Sequence, residues 1–186
     1  MAYYHDLKPD PMTFEERLGT PGALEAALGL LVIHFQELEA VIVEALGRLL
    51  ATRRRDVAAL TAEMSFKARI HALASLYRIA QERETDPESA DNIARLDELL
   101  GRCLFLEGER NRYVHSFWPG SQLGSGRALR LKRVSRKDGF NEQRDVVLAS
   151  DLLDRSDYAQ YLSTEVEQFF GLPMGAPDRR ASHGGN

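Results

Sequence analysis

Residues 22–53 read GALEAALGLLVIHFQELEAVIVEALGRLLATR, and this stretch decides the class of fold. Just before it, Thr20 can cap the N-terminus of a helix and Pro21 suits its first position. Apolar residues then recur every three or four positions, which is the spacing of one helical face. They are Leu24, Leu28, Leu31, Phe35, Leu38, Ile42, Leu46 and Leu49. The stretch therefore predicts one long helix over residues 22–53.

Four more helices are predicted downstream by the same spacing and by capping residues. Asp56 can cap a short helix over 57–64, and Ser65 can cap a longer one that ends near residue 84. A third helix is predicted from about 88 to 118, and a last one from about 150 to 170. Proline and glycine follow both of these helices and end them.

Residues 127–149 have a different pattern, in which leucine or valine alternates with charged residues. Asp138 and Gly139 form a typical turn dipeptide in the middle of this stretch. The pattern predicts a β-hairpin, preceded by a flexible loop over 119–126. Together the elements predict a mainly all-α fold, an up-and-down bundle of four to five helices with a β-hairpin inserted before the last helix.

The predicted domain covers residues 21–171. Residues 1–20 are polar and contain several prolines, so we expect an N-terminal extension with one short helix near its end. Residues 172–186 are rich in glycine, arginine and serine, and we expect a disordered tail.

The composition suits one soluble domain: the chain has 186 residues, is 44% hydrophobic and has a formal net charge of −4. An excess of acidic over basic residues argues against a protein that binds nucleic acid over its whole surface. Cys103 is the only cysteine, which excludes an internal disulfide and favours a small buried side chain over a reactive thiol. Residues 1–11 contain no signal core, and the longest apolar run, 28–35, is too short to cross a bilayer. We therefore expect a cytoplasmic location without membrane contact.

The hairpin is locally basic. Residues 127–144 contain seven lysines and arginines against two acidic residues, a net of +5. Two interpretations stay open: charges that keep the hairpin solvated and protect its edges, or a patch that binds phosphate. The candidate substrate-binding residues of this patch are Arg130, Lys132, Arg133, Arg136 and Lys137.

Residues 109–118, ERNRYVHSFW, place polar side chains on the predicted apolar face of helix 88–118. At about 100° per residue, Arg110, Asn111 and His115 fall within one arc of about 140°. That arc also carries Leu96, Leu100, Cys103, Leu104, Val114 and Trp118. The solvated side carries Glu98, Arg102, Glu109, Arg112 and Ser116. Because burying a charge is costly unless it is paired or used, this face predicts a site, an interface or both.

Arg110, Asn111 and His115 suit a site for a phosphodiester. An arginine matches phosphate geometry and stabilises charge that develops on phosphorus. A histidine can move a proton near neutral pH, and an asparagine can orient either group. The five histidines are scattered without metal-ligand spacing, so no metal and no cofactor is expected.

A structural role for the same residues is the competing interpretation. Arg110 can pair with Glu107, Glu37 or Glu39, and His115 can be a hydrogen-bonded histidine of the core. Spacing alone leaves both interpretations open.

Arg110-Asn111-x-x-x-His115 resembles the R-x4-6-H motif of HEPN domains, in which a polar residue follows the arginine. The long first helix with Phe35-Gln-Glu-Leu-Glu39, and residues 61–70, resemble the corresponding segments of that superfamily. The resemblance implies a helical bundle that dimerises with the motif helices at the interface. It also implies a metal-independent endoribonuclease acting on RNA, often in toxin–antitoxin or phage-defence systems, with Arg110 and His115 catalytic and Asn111 supporting.

One toxin subgroup of this superfamily carries a tyrosine two positions after the histidine, where a partner antitoxin modifies it. Phe117 occupies that position here and has no hydroxyl group. Regulation by that modification is therefore not expected, and the partner is left open as another antitoxin or regulatory protein. The alternative function is a non-catalytic module for dimerisation or partner binding, in which Arg110 and His115 only stabilise the interface.

Overall fold

The computed structural model describes residues 22–82, 89–119, 122–124, 126–136 and 139–173. These residues form five helices and three strands. In chain order they are α1 (Ala23–Leu49), α2 (Arg54–Thr61), α3 (Phe66–Gln81), α4 (Ser89–Val114), β1 (Gln122–Gly124), β2 (Arg127–Arg136), β3 (Gly139–Leu148) and α5 (Ala149–Phe170). The predicted helical bundle with a hairpin before its last helix is confirmed. The predicted helix before residue 20 and most of the C-terminal tail lie outside the described residues.

Helix boundaries follow local chemistry. The Oγ of Ser65 accepts a hydrogen bond from the backbone N–H of Ala68 at 3.2 Å, which confirms the predicted cap of α3. Helix α5 ends at Gly171, which has φ +57° and donates its N–H back to the carbonyl of Gln168. Helix α1 ends at Leu49, four residues before the predicted boundary, and Ala51 there adopts φ +49°.

Helices α1 and α5 pack most extensively and run in the same direction. His34 contacts Ser156 at 2.7 Å in the N-terminal halves of the two helices, and Arg48 donates to the Gly171 carbonyl at 2.7 Å near their ends. The N-termini of both helices therefore lie at one end of the bundle.

Helix α4 runs antiparallel to α5. Arg102 pairs with Glu165 at 2.7 Å, and Arg155 reaches back to Glu109 at 3.3 Å. The C-terminal turn of α4, which carries the motif, consequently lies at the same end as the starts of α1 and α5.

The main core fills the space between the long helices, with Phe35, Leu38, Ile42, Leu73 and Leu106 almost fully buried. Cys103 is part of this core, and burial raises the pKa of its thiol to about 12. A second, smaller core lies at the motif end of the bundle. Its members come from α1, α4, α5 and the base of the hairpin: Ala23, Leu24, Ala27, Leu31, Tyr113, Ala128, Val147, Ala149 and Leu152.

Strand β2 is the centre of a three-stranded antiparallel sheet with the order β1-β2-β3. It pairs with β3 in unbroken register from Arg127 opposite Leu148 to Arg136 opposite Gly139. Its other edge pairs with β1, where the sequence predicted a loop, and with Phe117 through an isolated bridge to Leu131. Because Phe117 joins the sheet, α4 ends at Val114 and not at the predicted residue 118.

Helix α1 is, among the described helices, long and apolar enough to cross a bilayer, with a mean hydropathy of 1.7 over its best window. The sequence expectation considered only the run 28–35, which Gly29 and His34 interrupt, and did not detect this. In the fold the helix supplies the centre of the bundle, and eleven of its residues are buried.

Two glycines provide a matched test of the helix geometry. Gly171→Ala forces an L side chain into a left-handed conformation, so the free energy of unfolding should fall by about 1 kcal/mol. Gly101 lies on the exposed side of α4, where an added Cβ would meet nothing within 4 Å, so Gly101→Ala should raise it by about 0.5–1 kcal/mol. Urea unfolding followed by circular dichroism measures both changes. If both variants changed the free energy of unfolding in the same direction, the conformations assigned to Gly171 and Gly101 would be contradicted.

Candidate functional site

Arg110 lies in the last turns of α4 and points toward α1. Its guanidinium carbon lies 5.3 Å from the centroid of the Phe35 ring, a cation–π distance. Its Nη1 donates a hydrogen bond to the Oδ1 of Asn111 at 2.9 Å. The Nε is buried and has no hydrogen-bond partner among the described residues. The charge is therefore half-buried and held by a ring and an amide.

The predicted carboxylate partners of Arg110 are not found in the described part of the structure, so the predicted support from Glu107 and Glu39 is wrong. Glu39 instead pairs with Arg69 of α3 at 3.5 Å, because α3 begins beside this part of α1. Glu37 is exposed, and within the described ranges no ion pair joins Glu107 to Arg110. The geometry thus contradicts the interpretation of Arg110 as one half of a salt bridge.

His115 is the first residue after α4, and its side chain is exposed. Its backbone N–H still donates to the carbonyl of Asn111 at 3.1 Å, so the turn continues through it. The expectation that His115 lies on the buried apolar face is wrong, since its side chain is exposed although the helical turn continues through it. The interpretation of His115 as a core histidine fails as well, because a core histidine would be buried.

The segment after His115 is fixed by a buried arginine from the hairpin. The Arg130 side chain is only 2% exposed and forms an ion pair with Asp145, its cross-strand neighbour. It also donates to the Oγ of Ser116 at 3.1 Å and to the carbonyl of Arg112 at 3.3 Å. The prediction that Arg130 binds substrate is therefore wrong, because its side chain is buried and both of its terminal nitrogens bond inside the protein.

Asp145 completes this network by accepting a second hydrogen bond, from Nη2 of Arg112 at 3.1 Å. Hydrogen bonds from Arg130 and then from Arg112 hold the pKa of the Asp145 carboxyl below its ordinary value. The Asp145 hydrogen bond also raises the pKa of Arg112. We call Arg112, Ser116, Arg130 and Asp145 the hairpin clamp, since together they join the end of α4 to the sheet.

The rest of the basic patch is only partly described. Lys132 is exposed on β2 and remains a candidate for binding RNA. Arg133 and Arg136 lie in β2, but their side chains are outside the described part of the structure, as is all of Lys137. The prediction that Lys132, Arg133, Arg136 and Lys137 bind substrate therefore stays a prediction.

Sequence analysis missed two functional neighbours, Phe35 as the platform under Arg110 and Asp145 as the partner of Arg130. Phe35 was assigned to the apolar stripe of α1 and to the family resemblance, but not to a contact with Arg110. Asp145 was missed because its position opposite Arg130 depends on where the hairpin turns. A two-residue turn at Asp138-Gly139 would place Arg130 opposite Val147. In the structure β2 ends at Arg136 and β3 begins at Gly139, and this register places Arg130 opposite Asp145.

Two cavities in the described structure lie away from the motif. One of about 420 Å³ lies between α4 and α5, where Arg95, Arg102 and Glu165 line it. Another of about 360 Å³ lies where α1 meets α2. Among the described residues, no three His, Cys, Asp or Glu side chains gather in a way that could hold a metal ion.

Comparison with known protein families, curated proteins and solved structures finds no match to this chain. A functional assignment therefore depends on the chemistry of the residues themselves.

Removing Asp145 should destabilise the fold, because Asp145→Ala leaves the buried Arg130 guanidinium without a counter-ion. We expect a loss of about 2 kcal/mol in the free energy of unfolding at pH 7. Asp97→Ala is the control, since its pair with Arg78 is exposed, and it should cost less than about 1 kcal/mol.

The same loss should depend on pH. Because the folded pKa of Asp145 is depressed, its contribution is present above its ordinary pKa of about 4 and disappears as the pH falls through the lower folded value. The difference between wild type and Asp145→Ala should therefore shrink below about pH 4. Urea unfolding at a series of pH values measures it, and a difference independent of pH would contradict the clamp.

Proposed function

We propose that this chain is a metal-independent endoribonuclease that acts as a homodimer, with Arg110 and His115 as catalytic residues. Asn111 supports them by holding the guanidinium through its side-chain oxygen. The proposal includes a cytoplasmic setting in toxin–antitoxin or phage-defence systems, in which an antitoxin or other regulatory protein controls the enzyme. The resemblance of residues 110–115 to the HEPN motif supports it.

The observation that carries the proposal is a half-buried guanidinium with no carboxylate beside it in the described structure. A purely structural arginine at such a position would normally be neutralised, because an uncompensated buried charge is destabilising. Arg110 is instead oriented by neutral partners, Phe35 and Asn111, which leave its charge available to an anion. A phosphate fits the remaining donors of a planar guanidinium.

His115 can supply the proton transfer that cleavage needs. In this step the ribose 2′-oxygen loses its proton and attacks phosphorus, the bond to the 5′-oxygen breaks, and the 5′-oxygen gains a proton. An exposed imidazole one turn from Asn111 can accept or donate one of these protons. Arg110 would stabilise the charge that develops on the phosphate oxygens.

A homodimer would bring two copies of this pair together. The motif lies at the end of α4, where an isologous interface places equivalent residues near the two-fold axis. A composite site would then use Arg110 and His115 from both protomers.

A partner-binding module is the second candidate, and one observation favours it. The outer face of α4 exposes Phe105, 57% accessible, between Gly101 and Gly108. An exposed aromatic between small residues suits close contact with another protein.

His115→Ala should lower RNA cleavage by at least about 100-fold in the presence of EDTA, since general acid–base catalysis contributes that much or more. Arg110→Lys should also cause a large loss, because lysine keeps the charge but not the planar fork. His71→Ala is the matched control: His71 is also exposed, on α3, and the variant should cleave like wild type.

These variants should keep the circular dichroism spectrum and dimer mass of wild type, with cleavage measured on labelled single-stranded RNA. Cleavage by His115→Ala at the wild-type rate would contradict the proposal. Absence of cleavage by wild type, with a weaker dimer in Arg110→Lys, would favour the partner-binding module.

A further inference from the structure

Strand β3 lies at one edge of the sheet, and its outward backbone groups can be identified. The strand order is β1-β2-β3, so β2 is its neighbour among the described strands. Phe117 and Leu131 exchange two backbone hydrogen bonds of 2.9 Å, which directs both backbone groups of Leu131 away from β3. Arg144 is paired with Leu131, so its own N–H and C=O face away from β2. Those of Val146, two residues later, face the same way.

Nothing in the described ranges covers these outward groups. No hydrogen bond among the described residues reaches the N–H or C=O of Arg144 or Val146 from the outer side. The end of the edge next to α5 is closed, since the Leu148 N–H donates to the Oδ2 of Asp151 at 3.1 Å. Unpaired N–H and C=O groups along a strand form a template for another strand. The open part of β3 is therefore a surface for strand addition.

Strand β3 also lacks the usual protection of an exposed edge. Natural edge strands are kept short, are bulged, contain proline or carry charges that repel a second strand. β3 runs over ten residues, Gly139–Leu148, in unbroken register with β2 and contains no proline. Its exposed Arg144 is paired with Glu142 of the same strand at 2.7 Å, and Val146 is 47% exposed. A long edge with offset charges and an exposed valine suits pairing with another strand.

We infer that β3 pairs antiparallel with β3 of a second copy of this chain, so that two three-stranded sheets join into one sheet of six strands. Two identical antiparallel edges are related by a two-fold axis, which gives a closed dimer. This contact goes beyond the proposed function. β3 and the segment after α4 flank β2 on opposite sides, so the contact differs from the one proposed at the end of α4.

The charges along β3 select one register. Like charges placed directly opposite each other are destabilising. A two-fold axis at Glu142, Arg144 or Asp145 would place that residue opposite its own copy. An axis at Gln143 instead places Glu142 opposite the Arg144 of the second copy. Gln143 also lies near the middle of β3, so this register pairs residues 139–147 with the same residues of the second copy, whereas an axis nearer to either end pairs fewer.

Disulfide trapping tests this register directly. Residues at the axis form a non-hydrogen-bonded pair, whose Cα atoms lie about 4.5 Å apart, within the range that a disulfide bridges. Gln143 is exposed, so Gln143→Cys should give a disulfide-linked dimer on a non-reducing gel after oxidation with glutathione disulfide. Cys103 is buried and should stay reduced.

Asn141→Cys is the matched control. Asn141 is exposed on the same face of the same strand as Gln143. In this register it lies four residues out of step with its copy, which separates the two Cα atoms by about 14 Å. That distance is too long for a disulfide, so Asn141→Cys should remain a monomer on the same gel.

The hydrogen bonds of the contact are tested by Val146→Pro in the Gln143→Cys protein. Proline removes the outward N–H and leaves the ladder with β2 in place, so most of the trapped dimer should be lost while the circular dichroism spectrum is kept. If this variant does not fold, the two cysteine variants still decide. In the wild-type protein, the amides of Arg144 and Val146 should be protected from hydrogen exchange in the dimer and lose that protection on dilution to the monomer.

The contact would be overturned if Gln143→Cys gave no linked dimer, if Asn141→Cys gave as much, or if folded Val146→Pro were trapped fully. Slow exchange of the Arg144 and Val146 amides in a monomer, with mass measured by light scattering, would also overturn it, because the edge would then be covered within one chain. None of these results depends on RNA cleavage, so the proposed function is tested separately.

Discussion

The pairing of the buried Arg130 guanidinium with Asp145 is the interaction on which the motif end of the molecule depends. A guanidinium that is 2% exposed depends on partners inside the protein, and its two terminal nitrogens take theirs from the neighbouring strand and from the end of α4. This requirement joins three separate pieces of chain: β2, β3 and the segment that follows α4. The position of His115 and the exposure of Phe117 both follow from where that segment is held.

Arg110 and Arg130 show two opposite ways to place an arginine in a protein. Arg130 is almost fully buried and engaged with a carboxylate and a carbonyl, so it is structural. Arg110 is half-buried, lies over Phe35 and contacts a neutral amide, with no carboxylate beside it among the described residues. Sequence analysis named both residues as candidates for contact with RNA and left a structural alternative open for each, and burial and pairing distinguish them.

Periodicity and capping residues predicted the helices, the hairpin and their order, because these depend on local spacing. Ser65 is a direct example, since its predicted cap is present. The end of α4 could not be predicted this way, because it depends on a bridge from Phe117 to Leu131, a contact with β2. The Arg130–Asp145 pair was missed because the strands pair in a different register from the one that an Asp138-Gly139 turn sets, and this changes every cross-strand partner.

The central claim is that Arg110 and His115 together bind a phosphodiester. Nuclear magnetic resonance can follow the Nε–H of Arg110 and the ring of His115 while a 2′-O-methyl RNA dinucleotide is added. The account predicts that both signals shift along one binding curve, while the Nε–H of Arg78, which is paired with Asp97 on the surface, does not move. Shifts at Arg78 equal to those at Arg110, or no shift at Arg110 and His115 in the folded protein, would contradict the account.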